Sequence, residues 1–262
     1  MSGAGNDFVL LDNRAQKFEL TPAQIVRLCD RHNGVGADGV IILVASKTGK
    51  AEWAWNFYNS DGSTGEMCGN GARCFGRFVR RQTGSDRDFT FETEAGIIAA
   101  SFKGDRVTVS LTTPRDLRLD QKVPLSIGNE TLHSLNTGVP HAVLFVADAD
   151  KAMVDRWGPE IRRHPHFGPK GTNVNFVQVL GKDHIRVRTF ERGVEGETLA
   201  CGTGVTASAL ISSRVHSFKS PVRVQVQGGD ELAVSFQAVN GGFSDVRLCG
   251  PADFVFEGKI KI

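Results

Sequence analysis

Two short stretches of this 262-residue chain carry residue types suited to acid–base chemistry. "MCGNGARC" at 67–74 sets Cys68 directly before Gly69, Asn70 and Gly71. "LACGTGVTASAL" at 199–210 sets Cys201 before Gly202, Thr203 and Gly204. An apolar, helix-like run follows each. A helix N-terminus presents unpaired backbone N–H groups and partial positive charge. Glycine lets an anionic group come close to that backbone, and the same field favours a thiolate over a thiol. Each turn therefore offers an anion cradle with an ionisable sulfur beside it. Two such turns acting on one carboxylate would put a thiol on either face of its α-carbon. That suits removal of a proton from one face and delivery of a proton to the other.

The elements that must position these turns repeat along the chain. The first half reads as a strand at 8–12, a helix at 21–32, and strands at 39–44 and 51–58. The Cys68 turn and a helical run at 72–81 follow, then strands at 89–93, 96–102 and 106–111. The second half reads as a strand at 141–148, a helix at 150–164, and strands at 172–180 and 184–191. The Cys201 turn and a helix at 205–214 follow, then strands at 222–227, 231–236 and 245–248. Asp7 and Cys68 are 61 residues apart, and His141 and Cys201 are 60 apart. The expected fold is α+β: two pseudo-symmetric lobes, each a strongly curved, mostly antiparallel sheet wrapped around a central helix. A two-fold relation would bring both Cys turns to one cleft. The join is expected near 112–120, where alternation breaks at Pro114, giving lobes of 1–113 plus 251–262 and of 114–250.

Composition narrows the function. The formal net charge is +2, from 31 basic and 29 acidic side chains, which is no footprint for nucleic acid. No apolar run is long enough to span a membrane, and the N-terminus reads as no signal peptide. Five cysteines, an odd number without close spacing, argue against a disulfide framework and for a reducing cytoplasm. The absence of CxxC and His-x-x-x-His spacing argues against a zinc site. Cys29, Cys74 and Cys249 read as small core residues.

The wider set of motifs resembles the diaminopimelate epimerase family, amino-acid epimerases that work without pyridoxal phosphate. The resemblance rests on "GAGNDF" (3–8), "NSDGSTGEMCGNGARC" (59–74), "PHAV" (140–143), "GTNVNFV" (171–177), "ERGVEGETLACGTG" (191–204) and "GPADFVFEG" (250–258). It implies that Cys68 and Cys201 are the acid/base thiols that interconvert LL- and meso-diaminopimelate, a precursor of lysine and peptidoglycan, with no cofactor and no metal. It also implies that Gly69, Asn70, Gly202 and Thr203 bind the reacting carboxylate. Asn6, Asn59, Asn173, Glu191 and Arg192 would contact the rest of the substrate, with His141 and Glu191 near the reacting centre. The C-terminal strand would return to the first lobe, and Phe256 would lie in a homodimer contact.

Four features depart from the family pattern. Val139 stands where Asn commonly precedes "PH". Gly39 stands where Gln often follows the Asp of the "GxD" stretch. "ERGVEGET" is one residue longer than usual, and several residues of a first strand are missing before "GAGNDF". Val139 and Gly39 together suggest, as an alternative, a cofactor-independent racemase of another amino acid. A thiol-based redox switch on the same fold would not need Glu191, Arg192, Asn59 and Asn173.

Overall fold

A computed structural model describes residues 1–65 and 67–261. The chain divides into two compact units. One comprises Met1–Ser110 with the segment from Cys249 onward, and the other comprises Leu111–Leu248.

The first unit holds β1 (Phe8–Asp12), α1 (Pro22–Cys29), β2 (Gly39–Ala45), β3 (Trp53–Asn59), α2 (Gly69–Thr83), β4 (Phe89–Thr93), β5 (Gly96–Lys103) and β6 (Arg106–Ser110). Its strands lie side by side in chain order. β1 pairs parallel with β2 and β3 parallel with β4, and the other neighbours are antiparallel. α2 packs on β1, β2, β5 and β6 and is buried from Gly69 to Gly76. Phe75 of α2 meets Trp55 and Phe91 edge-on or tilted, with ring centroids 5.7 and 4.7 Å away. Burying a phenylalanine of this kind contributes about 1.5–3 kcal/mol. Thr21 caps α1 in a capping box with Gln24, with Pro22 in the first turn. The helix stops at Cys29, short of the expected His32. Asp30 is extended, and its carboxylate takes the N–H groups of His32 and Asn33.

The second unit holds β7 (Arg115–Leu125), β8 (Gly128–Asn136), β9 (Pro140–Phe145), α3 (Val154–Arg162), β10 (Asn173–Gly181), β11 (His184–Glu191), β12 (Gly196–Thr198), α4 (Gly202–Val215), β13 (Val222–Val226), β14 (Glu231–Val239) and β15 (Gly242–Gly250). The lateral order is β15-β14-β13-β11-β10-β9-β8-β7, with β12 on β11. From β9 onward the pairing repeats that of the first unit: β9 parallel with β10, β10 antiparallel with β11, β11 parallel with β13, β13 antiparallel with β14. α4 is buried from Gly202 to Ser212 apart from the half-buried Thr203, packed on strands β8 to β11, β13 and β14. The α+β class with a central helix in each unit is therefore observed.

Three sequence expectations are corrected. The expected join near 112–120 runs into β7, which forms with β8 a hairpin over 115–136 that the expected elements do not include. Its period is hidden by two register shifts, with Asp116 and Asp120 at φ 58° and 54°, and β7 is mostly exposed. α3 begins at Val154 because Arg188 donates to the carbonyls of Ala149, Asp150 and Ala152, turning them out of any helix. Among the described residues beyond Gly250 none lies in a strand, where a returning C-terminal strand was expected; Asp253 forms a bridge with Ser2. Among the described residues, no helix is long and apolar enough to cross a membrane.

In the first unit a carboxylate closes one loop. Glu92, 8 % exposed, accepts from Thr48 Oγ1 (2.6 Å), Ser46 Oγ (2.7 Å) and the Lys47 N–H (2.8 Å). The Thr48 and Ser46 hydroxyls, against an opposing effect of burial, pull its carboxyl from 4.5 down to about 2. A depressed folded pKa contributes stability above the unfolded value and loses it as pH falls through the folded one. Glu92→Gln should therefore lower Tm at pH 7, and the gap from wild type should close as pH drops from 5 towards 2. A gap of constant size in thermal melts would show that the carboxylate charge is not what holds the loop.

Candidate active site

In the first unit Cys68 is the N-cap of α2, with extended backbone at φ −138°. Its sulfur accepts the Gly71 N–H at 3.5 Å, and its carbonyl accepts the Ala72 N–H at 2.8 Å. Gly69 and Gly71 are thus the first helical turn itself, which starts three residues before the expected run. The thiol donates to Asn6 Oδ1 at 3.5 Å. Asn6 Nδ2 in turn donates to Asp38 Oδ2 at 2.6 Å. Arg31 forks onto Asp7 and reaches Asp38, at 2.9–3.0 Å. Burial opposes ionisation of Asp7, but the Arg31 bonds and charge outweigh it and hold the carboxyl below the ordinary carboxylate range.

A buried arginine braces this turn. Arg73 is fully buried and donates to Gly69 O (3.1 Å), Asn70 Oδ1 (3.0 Å), Gly3 O (3.3 Å) and Pro251 O (3.1 Å). It ties the N-terminal loop, the Cys68 turn and the segment after β15 into one block. A Cβ at Gly3 would lie 2.7 Å from Asn70 O, so that position requires glycine. Asn59, at the end of β3, donates through its side chain to Ser63 Oγ at 3.0 Å. Cys74 and Cys29 are buried, which pushes their thiols up to about 12 and about 11, as core cysteines require.

In the second unit Cys201 is the N-cap of α4, and its carbonyl accepts the Val205 N–H at 2.8 Å. Its sulfur lies 3.5 Å from Thr203 Oγ1. Thr203 Oγ1 is 2.9 Å from His141 Nε2, and His141 Nδ1 is 3.2 Å from Asn175 Nδ2. Burial, then the charge of Arg192, pushes His141 down to about 3, so the ring is neutral at physiological pH. Asn173 Oδ1 accepts the Arg192 N–H at 2.8 Å, while its Nδ2 donates to Pro140 O at 3.0 Å. Arg192 Nη1 lies 3.4 Å from Gly171 O, and Glu191 Oε2 accepts the Thr198 hydroxyl at 2.9 Å.

The structure gathers Asn6, Gly69 and Asn70 around Cys68, and His141 and Thr203 beside Cys201. Asn173, Glu191 and Arg192 surround the β11–β12 turn. His141, expected as a catalytic group, makes its hydrogen bonds to Thr203 and Asn175. Asp38, Arg31, Arg73, Asn175 and Thr189 were missed. Alternation along β10 was a usable signal for Asn175, because it puts Asn175 on the same face as Asn173.

Two departures from the family pattern are explained locally. A Cβ at Gly39 would lie 2.6 Å from Tyr58 O, so this buried strand position has room only for glycine. The long Glu191–Glu197 loop places Glu195 at φ 59°, with its carboxylate on Arg162 and Arg163 at 2.9 and 2.7 Å.

Two buried helices, each capped by a cysteine within a repeated β-pairing scheme, define a fold shared with several solved proteins. A Bacillus anthracis phenazine biosynthesis protein of the PhzF family superposes with a TM-score of 0.74 at 15% identity, covering 100% of this chain and 95% of that one. A probable proline racemase from Agrobacterium radiobacter K84 gives 0.67 at 18% identity, covering 90% and 80%. The family model for diaminopimelate epimerase matches residues 1–116 and 133–252. The diaminopimelate epimerase of Aquifex aeolicus is 43% identical over 273 residues, covering 100% of this chain and 96% of that protein. That of Chlorobaculum tepidum is 41% identical over 268 residues, covering both chains fully. The chain belongs to the diaminopimelate epimerase family.

The bracing by Arg73 is testable. Arg73→Met leaves several buried acceptors without their donor and should lower the unfolding free energy by about 3 kcal/mol in urea denaturation. A loss under about 1 kcal/mol would show that the Cys68 turn holds without the guanidinium.

Proposed function

We propose that this chain interconverts LL- and meso-diaminopimelate by proton transfer at one α-carbon, with Cys68 and Cys201 as the two thiol acid/bases. The observation that carries this reading is the matched placement of both cysteines as N-caps of the two buried helices. The α-hydrogen of an amino acid is a very weak acid, so the developing charge needs oriented donors. The first-turn N–H groups at Gly69 and Asn70 and at Gly202 and Thr203 are assigned to the α-carboxylate. Arg192 is assigned to the far carboxylate as a fork of donors. Glu191 is assigned to an ammonium, and Asn6, Asn59 and Asn173 to the remaining polar groups. For the LL isomer, Cys201 starts as thiolate and removes the proton, and Cys68 delivers one to the opposite face. The two sulfurs exchange protonation states in each turnover. The chemistry requires reduced thiols, which supports a cytoplasmic setting.

A racemase of another amino acid remains the second reading on Val139 alone, since Gly39 has a structural reason. Turnover in deuterated water separates the readings and tests the mechanism. With diaminopimelate, early product should carry deuterium at the α-carbon while remaining substrate carries almost none. Cys68→Ala and Cys201→Ala should each abolish epimerisation with the fold retained. Protium-rich product at low conversion, or an active single mutant, would overturn the two-thiol assignment. Faster exchange with another amino acid would favour the racemase.

We also assign a homodimer contact to Phe256, which is 67 % exposed in the single chain, with Val255 64 % exposed beside it. Exposure of two adjacent large apolar residues is what a contact segment requires. Phe256→Glu should halve the mass seen in light scattering. An unchanged mass would remove Phe256 from the contact.

A further inference from the structure

We infer that Asn175 is a positioning residue that fixes the tautomer of His141 and thereby aims the Thr203 hydroxyl at Cys201. The inference rests on the reading of Cys201 as an acid/base thiol, and it concerns residues of the second unit alone.

The orientation of the Asn175 amide is set at the Ala142 carbonyl. Its nitrogen lies 2.9 Å from Ala142 O, which can only accept, and its oxygen lies 3.0 Å from Thr189 Oγ1, which donates. A flipped amide would set two acceptors against each other at Ala142. With the nitrogen so placed, its second N–H points at His141 Nδ1, 3.2 Å away. Nδ1 must then be the bare nitrogen. Full burial and the nearby Arg192 charge keep the ring neutral, so its single proton sits on Nε2. That N–H donates to Thr203 Oγ1 at 2.9 Å. With one lone pair of the Thr203 oxygen taken by that N–H, the hydroxyl proton is assigned to the Cys201 sulfur, 3.5 Å away. A hydroxyl donating to sulfur favours the thiolate.

Two observations sharpen the assignment. The first turn of α4 presses on this network: a Cβ at Gly204 would lie 2.3 Å from Asn175 Oδ1 and 3.3 Å from His141 Cε1. At Cys68 the polarity is opposite, since Asn6 turns an oxygen to the sulfur and can only accept from it. The side-chain partners of the two sulfurs therefore differ: an amide oxygen at Cys68, where the Gly71 N–H also reaches the sulfur, and a hydroxyl at Cys201.

The tautomer is read directly by long-range proton–nitrogen correlation on protein labelled at its seven histidines, at pH 7 and without substrate. His141 is identified by the signal lost in His141→Gln. It should show a bare Nδ1 and a protonated Nε2; a protonated Nδ1 or a doubly protonated ring overturns the proposal. Alkylation of Cys201 by iodoacetamide at pH 7.5, followed by peptide mass spectrometry, supplies the second measurement. Thr203→Val and Asn175→Leu should slow it about tenfold, the equivalent of about one pKa unit, and Thr203→Ser should restore it. Equal rates in Thr203→Val and Thr203→Ser overturn the relay even if Asn175→Leu fails to fold. Neither readout uses turnover. An inactive wild type with the expected tautomer and rates would defeat the epimerase reading and leave this one standing.

Discussion

A helix N-terminus taken out of water is the constraint on which this structure depends. The leading N–H groups of an α-helix have no partner within the helix. α2 and α4 are both buried from their first residue, so water supplies little to those groups. Serine, threonine or aspartate would satisfy them better than cysteine, whose sulfur accepts only at long range. At Cys68 the Gly71 N–H reaches sulfur at 3.5 Å, a weak cap on a buried helix. A weak cap leaves the partial positive charge of the first turn little compensated by the capping side chain, which suits an anion and favours a thiolate over a thiol. The stability forgone at the caps is the kind of local cost that functional sites carry.

The two units meet this constraint by different means. In the first, a buried guanidinium lies under the turn and bonds to Gly69 O and Asn70 Oδ1, which locks the backbone that presents the donors. In the second, neutral groups do the bracing: Thr137 Oγ1 donates to Thr203 O at 2.9 Å, and His141 holds the Thr203 side chain. A charge in the first and a neutral network in the second give the turns similar shape with different electrostatics.

The sequence disclosed what depends on local pattern. The Cys-Gly turns, the capping box at Thr21 and the β-branched alternation of β13 are legible because each acts within a few residues. β7 was not, because Asp116 and Asp120 enter the left-handed region and reset the period that alternation reads. The true start of α3 was hidden because Arg188, some thirty-five residues along the chain, claims the carbonyls before it. The roles of Gly39 and Arg73 depend on what packs against them. A glycine beside Tyr58 O and an arginine beside Pro251 O cannot be told from ordinary surface residues by spacing alone.

The repeat itself shows which features the chemistry constrains. Strand pairing from β1 to β5 recurs from β9 to β14, and a cysteine caps the buried helix each time. The side chains behind the two sulfurs do not recur. Asn6, Asp38 and Arg31 form a charged chain that ends in an acceptor at Cys68. Thr189, Asn175 and His141 form a neutral chain that ends at the Thr203 hydroxyl. The backbone that carries each cysteine thus recurs while the partners of its sulfur diverge, which leaves the two thiols electrostatically inequivalent. An amide oxygen that accepts from Cys68 favours the protonated sulfur, and a hydroxyl able to donate to Cys201 favours the ionised one.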